Sequence, residues 1–358
     1  MRRHWKKLLA AALALGALGM IVAVSGVIPV RASGGHWAVT EWLLHFAMRR
    51  SVATHSMGTT APRLDDPAMA LKGAVHYDLA CSPCHGSPAQ RSPRLARGMV
   101  PPPPYLALTL GQWDQAELFD IVRHGVKFTG MPAWPTAGRD DEVWAVVAFL
   151  RALPRRDAAA YERMVRGDTA VTVVSAEVPS LVVDNCGRCH GVDGRGRAPG
   201  AFPALAGQRV EYLLASLEAY ARGARHSGMM GPVAAELTPE ERVTLSRYYS
   251  GLPALPATEG GDAAAIARGA EIARRGVPGA RVPACASCHG PGGVERNPRH
   301  PRLAGQHAAE LALQLELFRQ GVRGGTSYVH LMAPVARGLT RSQARDVAAY
   351  YASLAEPR

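Results

Sequence analysis

Every cysteine of this 358-residue chain belongs to one of three copies of a single pattern, Cys-x-x-Cys-His. The first cysteines of the copies lie 105 residues apart (81 to 186) and then 99 apart (186 to 285), which divides the chain into units of domain size. Any fold of this chain must therefore bring two thiols and an imidazole together three times. The copies are Cys81-Ser-Pro-Cys84-His85, Cys186-Gly-Arg-Cys189-His190 and Cys285-Ala-Ser-Cys288-His289.

This pattern is the attachment signature of c-type haem, in which two thiols form thioethers with the porphyrin vinyl groups and the adjacent His reaches the iron. A single copy could also be a redox dithiol or half of a zinc site. Zinc would require thiols to pair across motifs about a hundred residues apart, and three disulfides would leave the three histidines unexplained. We therefore predict three covalently attached haem c groups with their iron, one per unit, with His85, His190 and His289 as ligands.

The composition agrees with a core filled by something other than side chains. Hydrophobic residues make up 47% of the chain and charged residues 20%, which disfavours disorder. Aromatic residues reach only 6%, while Gly and Pro number 37 and 27, so bulky side chains are scarce and porphyrins would supply the missing bulk. The formal net charge of +12 fits acidic docking patches on redox partners, and we predict no nucleic-acid partner.

The N-terminus predicts export and a membrane anchor. Arginines and lysines within the first seven residues precede the run from Leu8 to Val30, which carries no charge in 23 residues. We predict a transmembrane anchor over residues 1–35, with the haem units on the periplasmic side of a bacterial inner membrane. A cleaved secretory signal is the alternative. Residues 36–63 are predicted as an interfacial helix and linker, with a helix packed on the first unit as the other interpretation.

Internal repeats predict domains at 64–154, 155–256 and 257–358. The segment from Phe202 to Gln208 recurs as Pro301 to Gln306 at an offset of 98, and the segment from Met230 to Leu252 recurs at an offset of 102. Prolines near residues 154 and 253 indicate linkers.

Local patterns predict an all-α chain. Thr238-Pro-Glu-Glu241 and Thr340-Arg-Ser-Gln343 read as capping boxes of the final helices, and Asp114 with Glu117 repeats the pattern inside the first unit. Alternating strand patterns are nearly absent, and the exception, Val171 to Val174, is predicted as a short strand or an irregular connection.

Each unit offers a methionine as second axial ligand. Met131, Met230 and Met332 follow the first cysteine of their motif by 50, 44 and 47 residues. A lone Met is usually core filler, but we expect each of these in a Gly- or Pro-bearing loop before a final helix, and therefore predict that they ligate iron. Met229 competes with Met230, but only Met230 precedes its following Leu by seven residues, as Met332 does.

These residues resemble class I cytochromes c from Leu71 to Ala355, and the second and third units are similar to the halves of tandem di-haem cytochromes of the c-four type. The resemblance implies three tandem class I domains after a transmembrane helix. It also implies that a proline carbonyl accepts a hydrogen bond from each proximal His; the prolines are Pro104, Pro203 and Pro301.

The resemblance further implies that a Gly of the first helix packs on an aromatic residue of the last. Gly73 with Trp144, and Gly269 with Tyr350 or Tyr351, fit that role. No Gly precedes Cys186 at a suitable spacing, so the first helix of the second unit is expected to be short or irregular. The first unit is similar to single-haem domains fused to membrane oxidoreductase subunits.

Together these features predict an electron carrier rather than an enzyme. Our leading hypothesis is a membrane-tethered tri-haem cytochrome that relays single electrons in a periplasmic respiratory chain, to or within a terminal oxidase or another respiratory complex. The alternative is the cytochrome subunit of a periplasmic dehydrogenase complex. A haem peroxidase, the remote alternative, would require a unit without a credible Met ligand.

Overall fold

The computed structural model describes residues 2–28, 30–167, 178–198, 200–257, 261–290 and 297–355. Within these ranges the chain is helical and contains no β-strand; one isolated antiparallel bridge joins Val277 and Val282. The prediction of an all-α chain is confirmed. The stretch from Val171 to Val174, predicted as a short strand or an irregular connection, lies outside the described residues.

The chain begins with helix α1 (Arg2–Val24). Its span from His4 to Val24 is apolar and long enough to cross a membrane, and none of it is buried against the described residues. A membrane anchor and a signal sequence both have these properties.

Helix α2 (Ala38–His55) joins this segment to the first unit. In its first half Trp42 and Phe46 are exposed and stack with 5.6 Å between ring centroids. In its second half the guanidinium of Arg49 lies 5.2 Å from the ring centroid of Trp113, in the first unit. One end of α2 thus contacts the first unit, while the other presents aromatic rings to solvent.

At the centre of the first unit lies a helix whose residues from Val143 to Leu150 are all buried. Tyr77, Phe149 and Tyr161 pack together in its core. Its helices are α3 (Pro67–His76), α4 (Ser82–His85), α5 (Arg94–Arg97), α6 (Leu106–Thr109), α7 (Gln115–His124) and α8 (Asp140–Ala152).

Helix α9 (Ala158–Arg166) follows the predicted boundary at residue 154 but packs on the first unit. Asp157 caps its N-terminus, and Tyr161 and Val165 are each 1% exposed within the core of the first unit. The core of the first unit therefore includes α9 as far as Val165, because this helix buries its apolar side there.

The four helices of the second unit correspond to the last four of the third. In the second, Val182, Leu213, Leu245 and Tyr249 form the core. The helices are α10 (Gly187–His190), α11 (Val210–Ala221), α12 (Met230–Glu236) and α13 (Pro239–Gly251), then α14 (Ala263–Arg275), α15 (Ala286–His289), α16 (Ala308–Arg319), α17 (Val329–Gly338) and α18 (Arg341–Ala352).

The described residues directly before α10 form a π-helical turn, Val182–Cys186, instead of a long helix. This agrees with the short or irregular first helix expected of the second unit. Residues 168–177, which precede it, lie outside the described ranges.

All three predicted capping boxes are present. In each, the side chain of the capping residue accepts the third backbone N–H of the helix, and the third side chain accepts the backbone N–H of the capping residue. The pairs are Asp114 with Glu117, Thr238 with Glu241, and Thr340 with Gln343.

Glycines allow the first and last helices of two units to touch. A Cβ on Gly269 would lie 2.0 Å from the carbonyl oxygen of Asp346 and 2.8 Å from the Cβ of Tyr350, as the resemblance implies. A Cβ on Gly73 would lie 1.9 Å from the carbonyl oxygen of Ala145. The aromatic residue among the nearest neighbours of Gly73 is Phe149, whose Cβ would lie 3.0 Å from the added Cβ, and not Trp144 as expected.

Two glutamines join the second and third units in a nearly symmetric way. Gln306 donates to the carbonyl of Ala204 (2.9 Å) and accepts its backbone N–H (3.0 Å). Gln208 does the same with the backbone of Arg302, at 3.0 and 2.9 Å. The repeated Leu-Ala-Gly-Gln segment is therefore one of the contacts between these units.

The first unit packs on the second through polar and apolar contacts. Arg188, between the cysteines of the second motif, forms an ion pair with Asp78, which also accepts the hydroxyl of Tyr161 at 2.7 Å. Phe202 packs against Val75 of α3 in a small apolar cluster. The second unit thus contacts both of its neighbours.

Candidate haem-binding sites

In each Cys-x-x-Cys-His motif the first Cys caps a short helical turn that the other four residues form. The turns are α4, α10 and α15, each four residues long. A glycine with positive φ ends every turn: Gly86 (68°), Gly191 (75°) and Gly290 (78°). Because a turn contains 3.6 residues, the His and the first Cys, four positions earlier, lie on one face.

Each motif His is held by a proline carbonyl. The Nδ1 atoms of His85, His190 and His289 lie 2.9, 3.0 and 3.0 Å from the carbonyl oxygens of Pro104, Pro203 and Pro301, respectively. A carbonyl oxygen only accepts, so Nδ1 carries the proton. The other ring nitrogen, Nε2, is then an acceptor in the neutral imidazole and suits a metal.

Burial reinforces this form of the three histidines. Loss of water around the rings lowers the pKa of His85, His190 and His289, and the proline carbonyl partly opposes this by raising it. The neutral imidazole is therefore favoured, which is the form that coordinates iron.

Burial has the opposite effect on the thiols. It raises the pKa of Cys81 to about 12 and those of Cys186 and Cys189 to about 11. A redox dithiol or a zinc thiolate requires the deprotonated form, which these surroundings disfavour. Within the described ranges, no three His, Cys, Asp or Glu side chains come together as a zinc site would need.

A tyrosine hydroxyl donates a hydrogen bond to the backbone at the end of each motif. Tyr77, Tyr249 and Tyr351 donate to the carbonyls of Gly86, Gly191 and Gly290, at 2.6, 3.2 and 2.8 Å. These carbonyls belong to the glycine directly after each motif His. The sequence analysis did not assign this contact, although the repeated Tyr-Tyr pairs of the last two units were a visible signal.

The predicted methionine ligands are half-buried but only one lies in a loop. Met131 follows α7 in a turn where its backbone N–H donates to the hydroxyl of Thr129 (3.1 Å). Met230 is the first residue of α12, and Met332 lies inside α17, so the expectation of a loop is wrong for both. The prolines near these methionines suggested loops, but both lie within helices. Pro232 is in the first turn of α12, where a missing backbone N–H costs nothing, and Pro334 is in the interior of α17.

Met99 contacts the turn before Met131. Its methyl group lies 2.1 Å from the position that a Cβ on Gly130 would occupy. The absence of a side chain at Gly130 therefore leaves room for Met99.

Two buried arginines lie where the second and third units meet. Arg225 and Arg323, 98 residues apart, are 8% and 6% exposed. Both guanidiniums lie within reach of the side-chain oxygen of Gln314, at 3.5 and 2.8 Å, and Arg225 lies 4.5 Å from the ring centroid of Tyr220. Burial and the charge of Arg225 lower the pKa of Arg323. Such paired cations suit an anionic group, and haem carries two propionates.

Comparisons with known proteins identify the class. The family "Cytochrome c" matches residues 175–252 and 266–355, and "Cytochrome C oxidase, cbb3-type, subunit III" matches residues 68–150. The three matched regions contain the three motifs. The chain is thus a c-type cytochrome, an electron-transfer protein with covalent haem c that is not itself a catalyst.

Individual relatives cover about half of the chain. A "Thiosulfate dehydrogenase electron acceptor" of Stutzerimonas stutzeri (strain A1501) is 37% identical over 172 residues, 48% of this chain and 79% of the relative. "Cytochrome c4" of Pseudomonas aeruginosa is 31% identical over 189 residues, 52% of this chain and 89% of the relative. The chain belongs to the cytochrome c family and contains tandem domains of the cytochrome c4 kind.

Solved structures give a similar coverage. The crystal structure of reduced recombinant cytochrome c4 from Pseudomonas stutzeri has a TM-score of 0.45 and 33% identity, covering 48% of this chain and 95% of that one.

Proposed function

We propose that this protein is a membrane-tethered tri-haem cytochrome that accepts electrons from a periplasmic dehydrogenase of the thiosulfate dehydrogenase kind. One observation carries the proposal: two relatives named as thiosulfate dehydrogenase electron acceptors, from Stutzerimonas stutzeri and Thiomonas intermedia, are each 37% identical to this chain and are matched over 79% and 78% of their length. This favours the dehydrogenase alternative over the leading hypothesis of the sequence analysis.

In this proposal each unit would hold one haem c, which supplies one-electron redox chemistry when bound. The cysteine pairs 81 and 84, 186 and 189, and 285 and 288 would attach it, and His85, His190 and His289 would ligate its iron through Nε2. Met131, Met230 and Met332 would be the other protein ligands of the iron; thioether sulfur favours Fe(II) and would leave no position open for a substrate.

The rest of the chain orients these ligands and excludes water. The proline carbonyls hold the histidines in one tautomer, and the tyrosine hydroxyls hold the turn that carries them. Arg225 and Arg323 would meet the propionates between the second and third units. Because the second unit packs on both neighbours, it would connect the three haems.

The N-terminal segment would tether the units to the inner membrane on its periplasmic side. Helix α1 is long and apolar enough to span it, and a basic flank precedes the span. The exposed rings of Trp42 and Phe46 on α2 suit the headgroup region. A net charge of +12 would steer the units toward acidic patches of redox partners.

A second candidate is the relay to a terminal oxidase. The match of residues 68–150 to the cbb3-type oxidase subunit III family favours it for the first unit. The first function specifies the donor of electrons and the second specifies the acceptor, so the rates of reduction and of oxidation are measured separately.

The experiment is stopped-flow reduction of the ferric holoprotein in detergent. We expect a thiosulfate dehydrogenase with thiosulfate to reduce all three haems, at a rate that falls as the salt concentration increases. The enzyme without thiosulfate, and thiosulfate without the enzyme, are the controls. Reduction no faster than in these controls would refute the dehydrogenase function, and fast oxidation of the ferrous protein by a cbb3-type oxidase would then support the second candidate.

A further inference from the structure

A carboxylate of the first unit is buried against the segment of the second unit that carries Met230. Glu142, the third residue of α8, is 2% exposed. Its Oε1 accepts a hydrogen bond from the hydroxyl of Ser227, and its Oε2 accepts one from the backbone N–H of Gly228, both at 2.6 Å. Both donors belong to the second unit, and hydrogen bonds to a carboxylate are stronger than those between neutral groups.

Ser227 passes this anchoring on to Met230. Its Oγ accepts the backbone N–H of Met230 at 2.9 Å and that of Met229 at 3.2 Å. The same hydroxyl therefore receives the N–H groups at the start of α12 and donates to Glu142. The first helical residue, Met230, is held by a chain of two hydrogen bonds that ends on another unit.

Further groups of the first unit hold Glu142 in place. Arg139 forms an ion pair with it at 2.9 Å and also donates to the carbonyl of His226 at 2.7 Å. The indole N–H of Trp134 donates to it at 3.3 Å. The indole also lies against Gly228, where a Cβ would be 2.2 Å from Nε1. The residues before Met230 thus pack between an ion pair and an aromatic ring.

We infer that Glu142 is a positioning residue for Met230, so that the first unit sets the axial coordination, and hence the redox potential, of the second haem. The inference rests on the proposed function, in which Met230 ligates that iron. Sulfur stabilises Fe(II), so a displaced Met230 shifts the second haem toward Fe(III). The communication runs between units through a buried hydrogen-bonded segment.

The alternative is that Glu142 only ties two units together and leaves the Met230 sulfur where it is. Stability would then change without any change at the second haem. The potential of the individual haem and the resonance of the Met230 methyl group separate the two roles.

The test uses the full-length ferrous and ferric holoprotein and Glu142→Gln, which keeps the shape but replaces one acceptor oxygen by a donor. Ser227→Ala removes the intermediate hydroxyl. Glu162→Gln is the matched control: it alters a carboxylate of the same unit that is 39% exposed and pairs with Arg166 on its own helix. Met230→Leu assigns the Met230 methyl signal, which the ring current of a ferrous haem moves far upfield in the NMR spectrum.

We expect Glu142→Gln and Ser227→Ala to move that signal. At a fixed potential we expect them to raise the ferric-to-ferrous ratio of the second haem about threefold, which is about 28 mV because a tenfold change for one electron is about 59 mV. The double variant should do little more than either single one, since both break one chain. The other two haems and the control should not change.

If the second haem behaves as in the parent protein in both variants, the inference is wrong. Should Glu142→Gln fail to fold, the same measurements are made on Glu142→Asp. This variant keeps the negative charge but moves it away from Ser227 and Gly228 by the length of one methylene. If Met230→Leu leaves every upfield methyl signal in place, Met230 is not a ligand, and the ligand assignment of the proposed function fails together with the inference. A signal lost in Met230→Leu but unmoved in the Glu142 variants rejects the inference alone.

Discussion

Three proline carbonyls decide which nitrogen of each motif histidine carries the proton and which is left as an acceptor. The proline is 19, 13 or 12 residues beyond its histidine, so the contact depends on how the intervening loop folds back. The resemblance to class I cytochromes c implied all three contacts, and Pro203 and Pro301 also occupy matching positions of the internal repeat.

Other residues at the same sites could not be identified in this way. Glu142 stands in the sequence beside Asp140 and Asp141, and only its burial between two units distinguishes it. Tyr77, which holds the first motif by a hydrogen bond, precedes that motif in the chain. Tyr249 and Tyr351, which do the same for the other two motifs, lie on the last helix of their unit.

The methionine assignment leads to a prediction for single residues. Met131→His, Met230→His and Met332→His, made separately, should each lower one of three midpoint potentials and leave two unchanged. Imidazole stabilises Fe(III) relative to thioether sulfur, and axial ligands span about 0.8 V. Spectroelectrochemical titration measures the three potentials. A variant that shifts none of them would disprove the assignment of its methionine.

Helices α14 and α18 show how elements of a haem unit are held together. Gly269 brings the two backbones into contact, and one residue away Arg268 pairs with Asp346 through two hydrogen bonds, at 2.8 and 2.9 Å. The helices themselves were predictable, because capping boxes and apolar spacing are local signals. Their contact was implied by resemblance to a family, and at Gly73 that resemblance named the wrong neighbour.

Gly269→Ala should destabilise the third unit by about 1–3 kcal/mol, the usual cost of overpacking. The new Cβ would lie 2.0 Å from the carbonyl oxygen of Asp346, so α14 and α18 must separate. Guanidinium unfolding followed by haem absorbance measures the change. Gly251→Ala is the matched control, because no atom lies within 4 Å of its Cβ position. Equal stability of the two variants would contradict the close crossing.

The pair of Arg268 and Asp346 predicts a dependence on pH. The hydrogen bond from Arg268 lowers the pKa of Asp346 below its ordinary value of 3.8, so the folded state binds this proton less readily than the unfolded state does. The stabilisation is therefore complete above about pH 4 and is lost as the pH falls through the lowered pKa. Because Arg268 is largely exposed, the effect should be small.

Asp346→Asn tests this by removing the titrating group. The difference in unfolding free energy between the parent and the variant should be constant near neutral pH and shrink below pH 4. Chemical unfolding at a series of pH values gives this difference. A gap that stays constant into the acid range would show that the charge of Asp346 contributes nothing.

For the whole molecule, the order of units along the chain is also the order of their contacts. The first unit packs on the second through Asp78 and Arg188, and the second packs on the third through Gln208 and Gln306. The glutamines lie in the repeat that sequence analysis recognised, but a repeat does not say that its copies face each other.

Gln306→Ala should loosen the second and third units by about 1–3 kcal/mol, because the buried N–H and C=O of Ala204 lose their partner. Amide hydrogen exchange of Ala204 should become faster. Gln320→Ala is the control, because Gln320, at the end of α16, donates only to Glu316 of the same helix among the described residues. Unchanged protection of the Ala204 amide would argue against this contact in solution.

Haem attachment should decide whether a unit folds at all. Among the described residues, the buried hydrophobic cluster of the second unit is small and consists of Val182, Leu213, Leu245 and Tyr249. A protein with Cys186→Ala and Cys189→Ala should therefore be cut by proteases between residues 178 and 252. Limited proteolysis with mass spectrometry locates the cuts, and the parent holoprotein is the reference. Full protease resistance of the variant would mean that side chains alone suffice.

The sequence by itself determined three Cys-x-x-Cys-His motifs, the helical class of the chain and its family, because all three follow from short segments with a fixed spacing. Only the tertiary structure decided that Met230 and Met332 lie on helices, that α9 belongs to the core of the first unit, and that Glu142 reaches the segment of Met230. The reason is physical. Local patterns are set by neighbours along the chain, whereas burial and the pairing of distant polar groups depend on which surfaces meet.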